Sequence, residues 1–452
     1  MQAKLTSVFG GKKLGVKDTS RVVTPFGGLA VFAEFMNRIG FRQAVEEAMP
    51  VRYESPNAIA PSHTFSVFLF SVLAGASRFA HAGLLRADEA MRGMLGVPRM
   101  PGDDTIRNLF RRFGMGEVQR FFTPLWTWAL ARVPPLAGGY TIDLDSTVFE
   151  RAGEQEGAAK GYSPKRRGRN SHHPLLAVLA ERRFILHGWL RSGNCGSARG
   201  VTAFLAEALA FLPAHVTLRL LRADSGFFED GLLAFLEERC LPYIIVARMT
   251  ARVKHAVCWS IRDDQWRRLD DDYAVAESSV QLLGWKTARR FIVVRERLRE
   301  DKKTKGRTLL DVPGYTFRVF VTSTNLAPEE VWRTYAGRAD IENRISELKS
   351  DLDADGFCMH GFYPTEAAFR SILLLFNLLG EFQHAAGIPV PKRPKTLRTE
   401  VFLCGAILGR AGHAAVLHMS LAWGGIRKRM CLLENIIRYM EPTSPKLAPT
   451  PA

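Results

Sequence analysis

The apolar residues of this chain change their period at residues 133–139, VPPLAGG, and that change restricts the fold more than any other feature. Before it, GGLAVFAEFMNRIG, FRQAVEEAM, SHTFSVFLFSVLAGASRFA and EVQRFFTPLWTWALARV carry apolar side chains at helical spacing with few strand signals, so residues 20–132 read as helical. After it, YTIDLDSTVF, PLLAVLAE and RFILHGWLRSG read as three strands. A helical VTAFLAEALAFL, a strand TLRLLRADSGFF, a helical DGLLAFLEERC and a strand LPYIIVARM then alternate. Three early strands followed by helix and strand in turn predict an α/β chain with a mixed sheet flanked by helices. Pro and Gly end both kinds of periodicity, which puts a boundary near residue 137.

From about residue 252 to 322 the alternation stops, and YAVAESSVQLLGW, RRFIVVRERL and YTFRVFVTSTN read as antiparallel strands of a β insertion. Helical sequence resumes at PEEVWRTYAGRADIENRISELKSDL and continues through TEAAFRSILLLFNLLGEFQHA. Its longest apolar stretch, SILLLFNLL at 371–379, suits a buried helix and falls short of the roughly 20 residues of a membrane span. PVPKRPK at 389–395 marks a linker; a basic helical segment and a Pro/Ser/Thr-rich tail from Pro442, expected to be disordered, follow. The expected division is a helical domain at 1–137, a sheet-containing domain at 138–388 and a basic helical C-terminal region at 389–452.

Lys and Arg number 62 against 45 Asp and Glu, a formal net charge of +17 that favours a polyanionic partner, nucleic acid first among them. DEAMRGMLG and DDTIRNLFRRFG, separated by VPRMPG, resemble a helix-turn-helix, with Arg107, Arg111 and Arg112 on its second helix as DNA contacts. Any two short helices joined by a turn look alike at this level. The six cysteines lie far apart with no C-x-x-C pair, so a zinc site or redox motif of that kind is not expected and reduced cytosolic thiols are. The first residues, MQAKLTSVFGGKKLGVK, are basic but lack the apolar run of a signal peptide. A cytoplasmic chain with no membrane partner is expected.

Three acidic residues stand where metal-dependent phosphoryl transfer needs them. Asp145 ends the apolar strand TIDLD, and Asp224 ends LRLLRAD before the turn formers Ser225 and Gly226. Open α/β sheets place ligands at the C-terminal ends of their strands. Asp143 faces the same way as Asp145, because side chains alternate along a strand, and it stays open as a supporting carboxylate or a ligand. The third acid is Glu342. In YAGRADIENRISELK read as one helix, Tyr335, Arg338, Glu342 and Lys349 fall at roughly 0°, 300°, 340° and 320°, a stripe about 60° wide. Ile341, Ile345, Leu348 and Leu352 form a separate apolar face beside it.

The spacing Y-(2)-R-(3)-E-(6)-K resembles the signature of cut-and-paste transposases of bacterial insertion sequences of the DDE class. DLDST resembles the first-Asp motif of that family and LRADSGFF the second. GYSPKRRGRNSHHPLLAV at 161–178 is similar to the loop and strand of the subgroup with a β insertion. Over residues 100–385 the resemblance implies an RNase H-like fold interrupted by that insertion and preceded by a helical DNA-binding domain. It implies Asp145, Asp224 and Glu342 as catalytic metal ligands and Tyr335, Arg338 and Lys349 as phosphate contacts. Two Mg²⁺ ions, replaceable by Mn²⁺, would activate water or a 3′-hydroxyl and stabilise the leaving oxygen. The partners implied are double-stranded DNA, as terminal inverted repeats and target, and a second copy of the chain holding the other end, on a bacterial nucleoid.

Further candidate DNA contacts are Arg169 and His172 in and beside KRRGR, next to the Asp145 strand, and Trp285 in LLGWKTARR, an aromatic able to stack on an unpaired base or to fill the core. Two other readings share the acids. One is an RNase H-like nuclease that cuts without joining, and the other a non-catalytic DNA-binding protein derived from a transposase.

Overall fold

The computed structural model describes residues 3–7, 10–11, 13–161, 168–298, 308–309, 312–422 and 425–440. Lys165, Arg166 and Arg167 of the basic loop and the tail from Pro442 lie outside the described residues. The chain gathers into two compact units. One comprises Met1–Gln43, Arg52–Leu109 and Phe382–Ala452, and the other Ala44–Val51 and Phe110–Glu381. The two ends of the chain thus share a unit, where the sequence division keeps them apart.

In that first unit, helices Leu29–Arg38 and Pro61–Leu73 bury Phe32 against Phe35, Phe70, Phe382 and Phe402 at ring separations of 5.3–5.9 Å. Residues 389–452, expected to be helical, instead hold a hairpin, Ala406–Ala411 with Ala414–Met419, before helix Gly425–Arg438. Its turn contains Gly412 at φ +61°, and its first strand pairs with Val22–Thr24. Only Ala406 of the two strands is buried, so neither shows the alternation that marks a half-buried strand. Arg429, fully buried on the last helix, donates to the carbonyls of Val401, Leu403, Glu400 and Gly425 and so ties that helix to the turn Arg398–Phe402.

The second unit holds one ten-stranded sheet. In chain order its elements are β1 (Tyr140–Ser146), β2 (Leu175–Leu179), β3 (Phe184–Trp189), α1 (Val201–Ala210), β4 (Leu218–Ala223), α2 (Asp230–Glu238) and β5 (Tyr243–Val246). Then come β6 (Arg267–Arg268), β7 (Tyr273–Val280), β8 (Arg289–Arg297), β9 (Thr308–Leu309), β10 (Val312–Thr322), α3 (Pro328–Ala336), α4 (Asp340–Ser350) and α5 (Phe362–Ala385). The strand order is β6-β7-β8-β10-β5-β4-β1-β2-β3, with β9 on β10. β4 runs parallel to both β1 and β5, and the other pairs are antiparallel. Parallel strands need a crossover, and the helical segments α1 and α2 precede β4 and β5. β2, LLAVL, is buried at every position, as a strand covered on both faces must be.

The strands expected as an insertion are present, but they continue the main sheet. β10 pairs with β5 in the register Ile244 to Thr322 and Val246 to Phe320. Leu220, Ile244, Val275, Ile292, Val294, Phe320 and Val331 form one apolar cluster drawn from β4, β5, β7, β8, β10 and α3. Arg289 on β8 also grips Asp230 and Glu237 of α2 at 2.5 and 2.7 Å.

α5 buries the stretch at 371–379 as its composition requires, and no helix among the described residues is long and apolar enough to cross a membrane. Its Asn377 accepts from the Ile185 N–H at 2.7 Å and donates to the Ile185 carbonyl at 2.9 Å, at the point where β3 shifts register against β2. Trp126 donates its indole N–H to the next carbonyl, that of Leu186, at 2.6 Å. Asn377→Ala should leave a buried donor and acceptor unpaired, lowering unfolding free energy by about 2–4 kcal/mol in urea titrations; a cost near zero would show that water replaces the amide.

Candidate active site

β1 and β4 are adjacent and parallel, with Cα partners Asp143 to Arg222 and Leu144 to Ala223. The next position along this register brings Asp224 beside Asp145 at one edge of the sheet, because strands that run together also end together. Asp145 accepts from the Ser146 N–H at 2.7 Å, and Asp224 caps a 3₁₀ turn, Ser225–Phe227, by accepting from the Gly226 N–H at 2.9 Å. Burial raises the Asp145 carboxyl to about 6; Arg338, with Nη2 3.3 Å from the carboxylate, opposes this, while the charges of Asp224 and Glu342 add to it. All three acids therefore share one electrostatic neighbourhood, with Glu342 exposed on α4.

The segment from Tyr335 to Lys349 is not one helix. α3 stops at Ala336, Gly337–Ala339 forms a 3₁₀ turn, and α4 restarts at Asp340. The tighter turn breaks the angular reckoning of a continuous helix, which holds only within α4, where Glu342 and Lys349 share a face. Ile341, Leu348 and Leu352 are buried as the apolar face. Arg338 reaches β1 from the turn: it is 6% exposed and donates to the Leu144 carbonyl at 2.7 Å. Tyr335 packs its ring on Phe320 at 5.0 Å, and burial raises its phenol, which also feels Arg338, Asp224 and Asp145. Lys349 donates to the Val148 carbonyl at 2.7 Å, just beyond Asp145.

Asp143 has a defined task. Arg222 Nε and Nη2 donate to its two oxygens at 2.7 and 2.8 Å, and Nη1 donates to the Thr334 carbonyl at 2.6 Å. Sequence reasoning passed over Arg222; the available signal was a cation inside an apolar strand, which demands a buried anion. It also missed the loop at 192–200. There Ser197 Oγ lies 3.0 Å from Ser146 Oγ, and a Cβ on Gly226 would come within 2.8 Å of that hydroxyl, so the loop lies against both Asp-bearing strand ends. Arg191 holds the loop by donating to Gly196, Ser197 and Arg199 carbonyls.

The other expected contacts do not gather here. His172 is fully buried: its Nδ1 accepts from Arg151 Nε at 2.9 Å, and Nε2 lies 2.9 Å from the Glu156 carbonyl. Burial lowers it to about 4, so the ring is neutral; His172 ends the central strand of a small sheet formed by Phe149–Glu150, Ala159–Lys160 and Asn170–His172. His173 is likewise buried, 2.6 Å from the Cys195 carbonyl. Arg169 is exposed. Trp285, half-buried, packs on Phe228 and Phe291 at 5.4 and 5.9 Å with Arg289 over its ring. On helix Asp103–Arg111, Arg107 pairs with Asp103 and Asp104, and Arg111 is exposed.

The donor set suits a hard divalent ion, since carboxylate oxygens are what Mg²⁺ prefers and Asp145 carries a charge that burial disfavours. Among the described residues no three His, Cys, Asp or Glu side chains stand close enough to hold a metal ion.

Two measurements follow from these environments. Folded Asp145 holds its proton more tightly than the unfolded chain does, so its contribution to stability falls as pH rises from about 4 to about 6. In chelator, Asp145→Asn should stabilise the protein by on the order of 2 kcal/mol more at about pH 8 than at about pH 4; equal effects at both would reject the shift. His172→Ala strands Arg151 and should cost about 1–3 kcal/mol in denaturant titrations with DNA affinity per folded molecule unchanged; lost affinity at wild-type stability would return it to the interface.

No curated protein matches the chain. A solved structure described as "Cryo-EM structure of piggyBac transposase synaptic complex with hairpin DNA" is similar over 95% of this chain and 90% of that one, at 11% identity and a TM-score of 0.45. The family model described as "Transposase DDE domain group 1" matches residues 6–439. Nearly the whole chain lies inside that match, and by it the protein belongs to the DDE transposase family.

Proposed function

We propose that this DDE transposase binds the terminal inverted repeats of its own insertion sequence, cleaves the DNA at the element ends and joins the ends to target DNA. The observation that carries the reading is the placement of Asp145 and Asp224 at adjacent ends of parallel β1 and β4, within the field of Glu342. The order β3-β2-β1-β4-β5, three antiparallel strands followed by two parallel ones, supports an RNase H-like core.

Asp145, Asp224 and Glu342 would hold two Mg²⁺ ions, with Mn²⁺ as a substitute. When bound, such a pair supplies an activated oxygen nucleophile and neutralises the leaving oxygen. Arg338 fixes the end of β1 through the Leu144 carbonyl and balances Asp145. Lys349, beside Val148, would contact a phosphate, with Tyr335 and Arg338 completing the set. The excess of basic residues supplies sequence-independent attraction to DNA. The helix pair at 88–113 is the proposed reader of the ends, and two copies of the chain would hold the two ends together in a cytoplasmic, nucleoid-bound complex.

Alanine at Asp145, Asp224 or Glu342 should abolish metal-dependent cleavage of a plasmid bearing the element ends and leave end binding within about threefold of wild type, because phosphate contacts supply affinity and the acids supply chemistry. Cleavage retained by any of the three removes that residue from the site. Cleavage by the wild type without joining of pre-cut ends favours the nuclease reading, and binding without cleavage the non-catalytic one.

A further inference from the structure

Arg222 is 7% exposed, two residues before Asp224 on β4. Its guanidinium joins β1, which carries Asp145, to α3, which leads towards Glu342. Nε and Nη2 clasp Asp143, two residues before Asp145 on β1, and Nη1 holds the Thr334 carbonyl in the last turn of α3, from which the Gly337–Ala339 turn leads to Glu342. We propose that Arg222 is a positioning residue, a strut that sets the mutual geometry of Asp145, Asp224 and Glu342 for metal binding; the proposal rests on the metal-ligand reading above.

The residue type fits this task. Only a planar, forked cation makes two parallel bonds to a carboxylate and a third, in another direction, to a backbone carbonyl. Asp143 is 1% exposed, so both charges have left water. Such a pair adds little net stability over apolar residues of the same size, because desolvation consumes the Coulombic gain. Its effect is directional: it fixes where β1, β4 and α3 stand. Gly337 points the same way. Its backbone, φ −60° and ψ −16°, suits any residue, yet a Cβ there would lie 2.7 Å from Arg222 Nη1, and the three nearest atoms all belong to Arg222. That nitrogen is the far end of a long side chain, but its own bond to Thr334 and the two that Nε and Nη2 make to Asp143 pin the guanidinium. A methyl group at 337 therefore displaces the strut while removing no bond itself.

The test measures Mn²⁺ binding to the full chain without DNA, by electron paramagnetic resonance, alongside Tm in chelator. Three perturbations are compared: Arg222→Lys, the paired apolar change Asp143→Leu with Arg222→Met, and Gly337→Ala. Each should weaken Mn²⁺ binding by about 10–100-fold, the range in which residues behind metal ligands act. The apolar pair should keep or raise Tm, which separates positioning from folding. Gly337→Ala should have no additional effect in the apolar-pair background, since the atom it displaces is gone. Wild-type Mn²⁺ affinity in the Arg222→Lys and paired variants, or affinity that falls only in step with Tm, overturns the strut. Asp145→Asn is the control: if it too binds Mn²⁺ as wild type does, the metal-ligand reading fails and the strut with it, whereas weak binding there beside wild-type binding in the Arg222 variants overturns the strut alone.

Discussion

Two neighbouring strands that run the same way must end at the same edge of their sheet, and here each carries an aspartate at that end. The parallel pairing of β1 with β4 makes Asp145 and Asp224 neighbours although 78 residues separate them, and the backbone ladder between the strands sets that adjacency. The remaining features of the site respond to the negative charge that this pairing concentrates. Arg338 enters from the turn between α3 and α4 to lie against Asp145, and Arg222 neutralises the carboxylate one pleat back. Burial still leaves Asp145 well above the usual carboxylate range, so the site is electrostatically unsatisfied. A group held in that condition is suited to take up a cation.

The acids and their strands were legible in the sequence because each sits at the end of an apolar run, a local pattern that the fold uses without change. Tyr335, Arg338, Glu342 and Lys349 were legible as a spacing, but not as a shape. Nothing in YAGRAD distinguishes a helix from a helix interrupted at Gly337, and the groups that the interrupted turn meets, Arg222 and β1, lie more than 100 residues away. His172 shows the same limit: its basic neighbours suggest a DNA contact, while its burial depends on Arg151 and Glu156 folding over it. At the C-terminal hairpin even the kind of element departs from local composition, and its first strand pairs with Val22–Thr24 at the other end of the chain.

The strands at 273–322 show why the sheet matters more than the word insertion suggests. Phe320 on β10 carries the ring of Tyr335, and Val331 of α3 lies in the same apolar cluster as Val275 and Ile292. The segment that bears Arg338 and leads to Glu342 thus rests on the added strands as well as on β1 and β4. Loosening β7 and β8 would be felt at the site through packing, although neither strand carries a residue assigned to the chemistry.

Both margins of the ten-stranded sheet are closed to further pairing in different ways. At one, Asn377 and Trp126 occupy backbone groups of β3 that an incoming strand would need. At the other, β6 is only two residues long, Arg267 and Arg268, which pair with Glu329 and Asp271. An edge so treated resists growth by strand addition. With both margins so treated, the sheet offers no ready seed for aggregation, whatever the concentration of the chain.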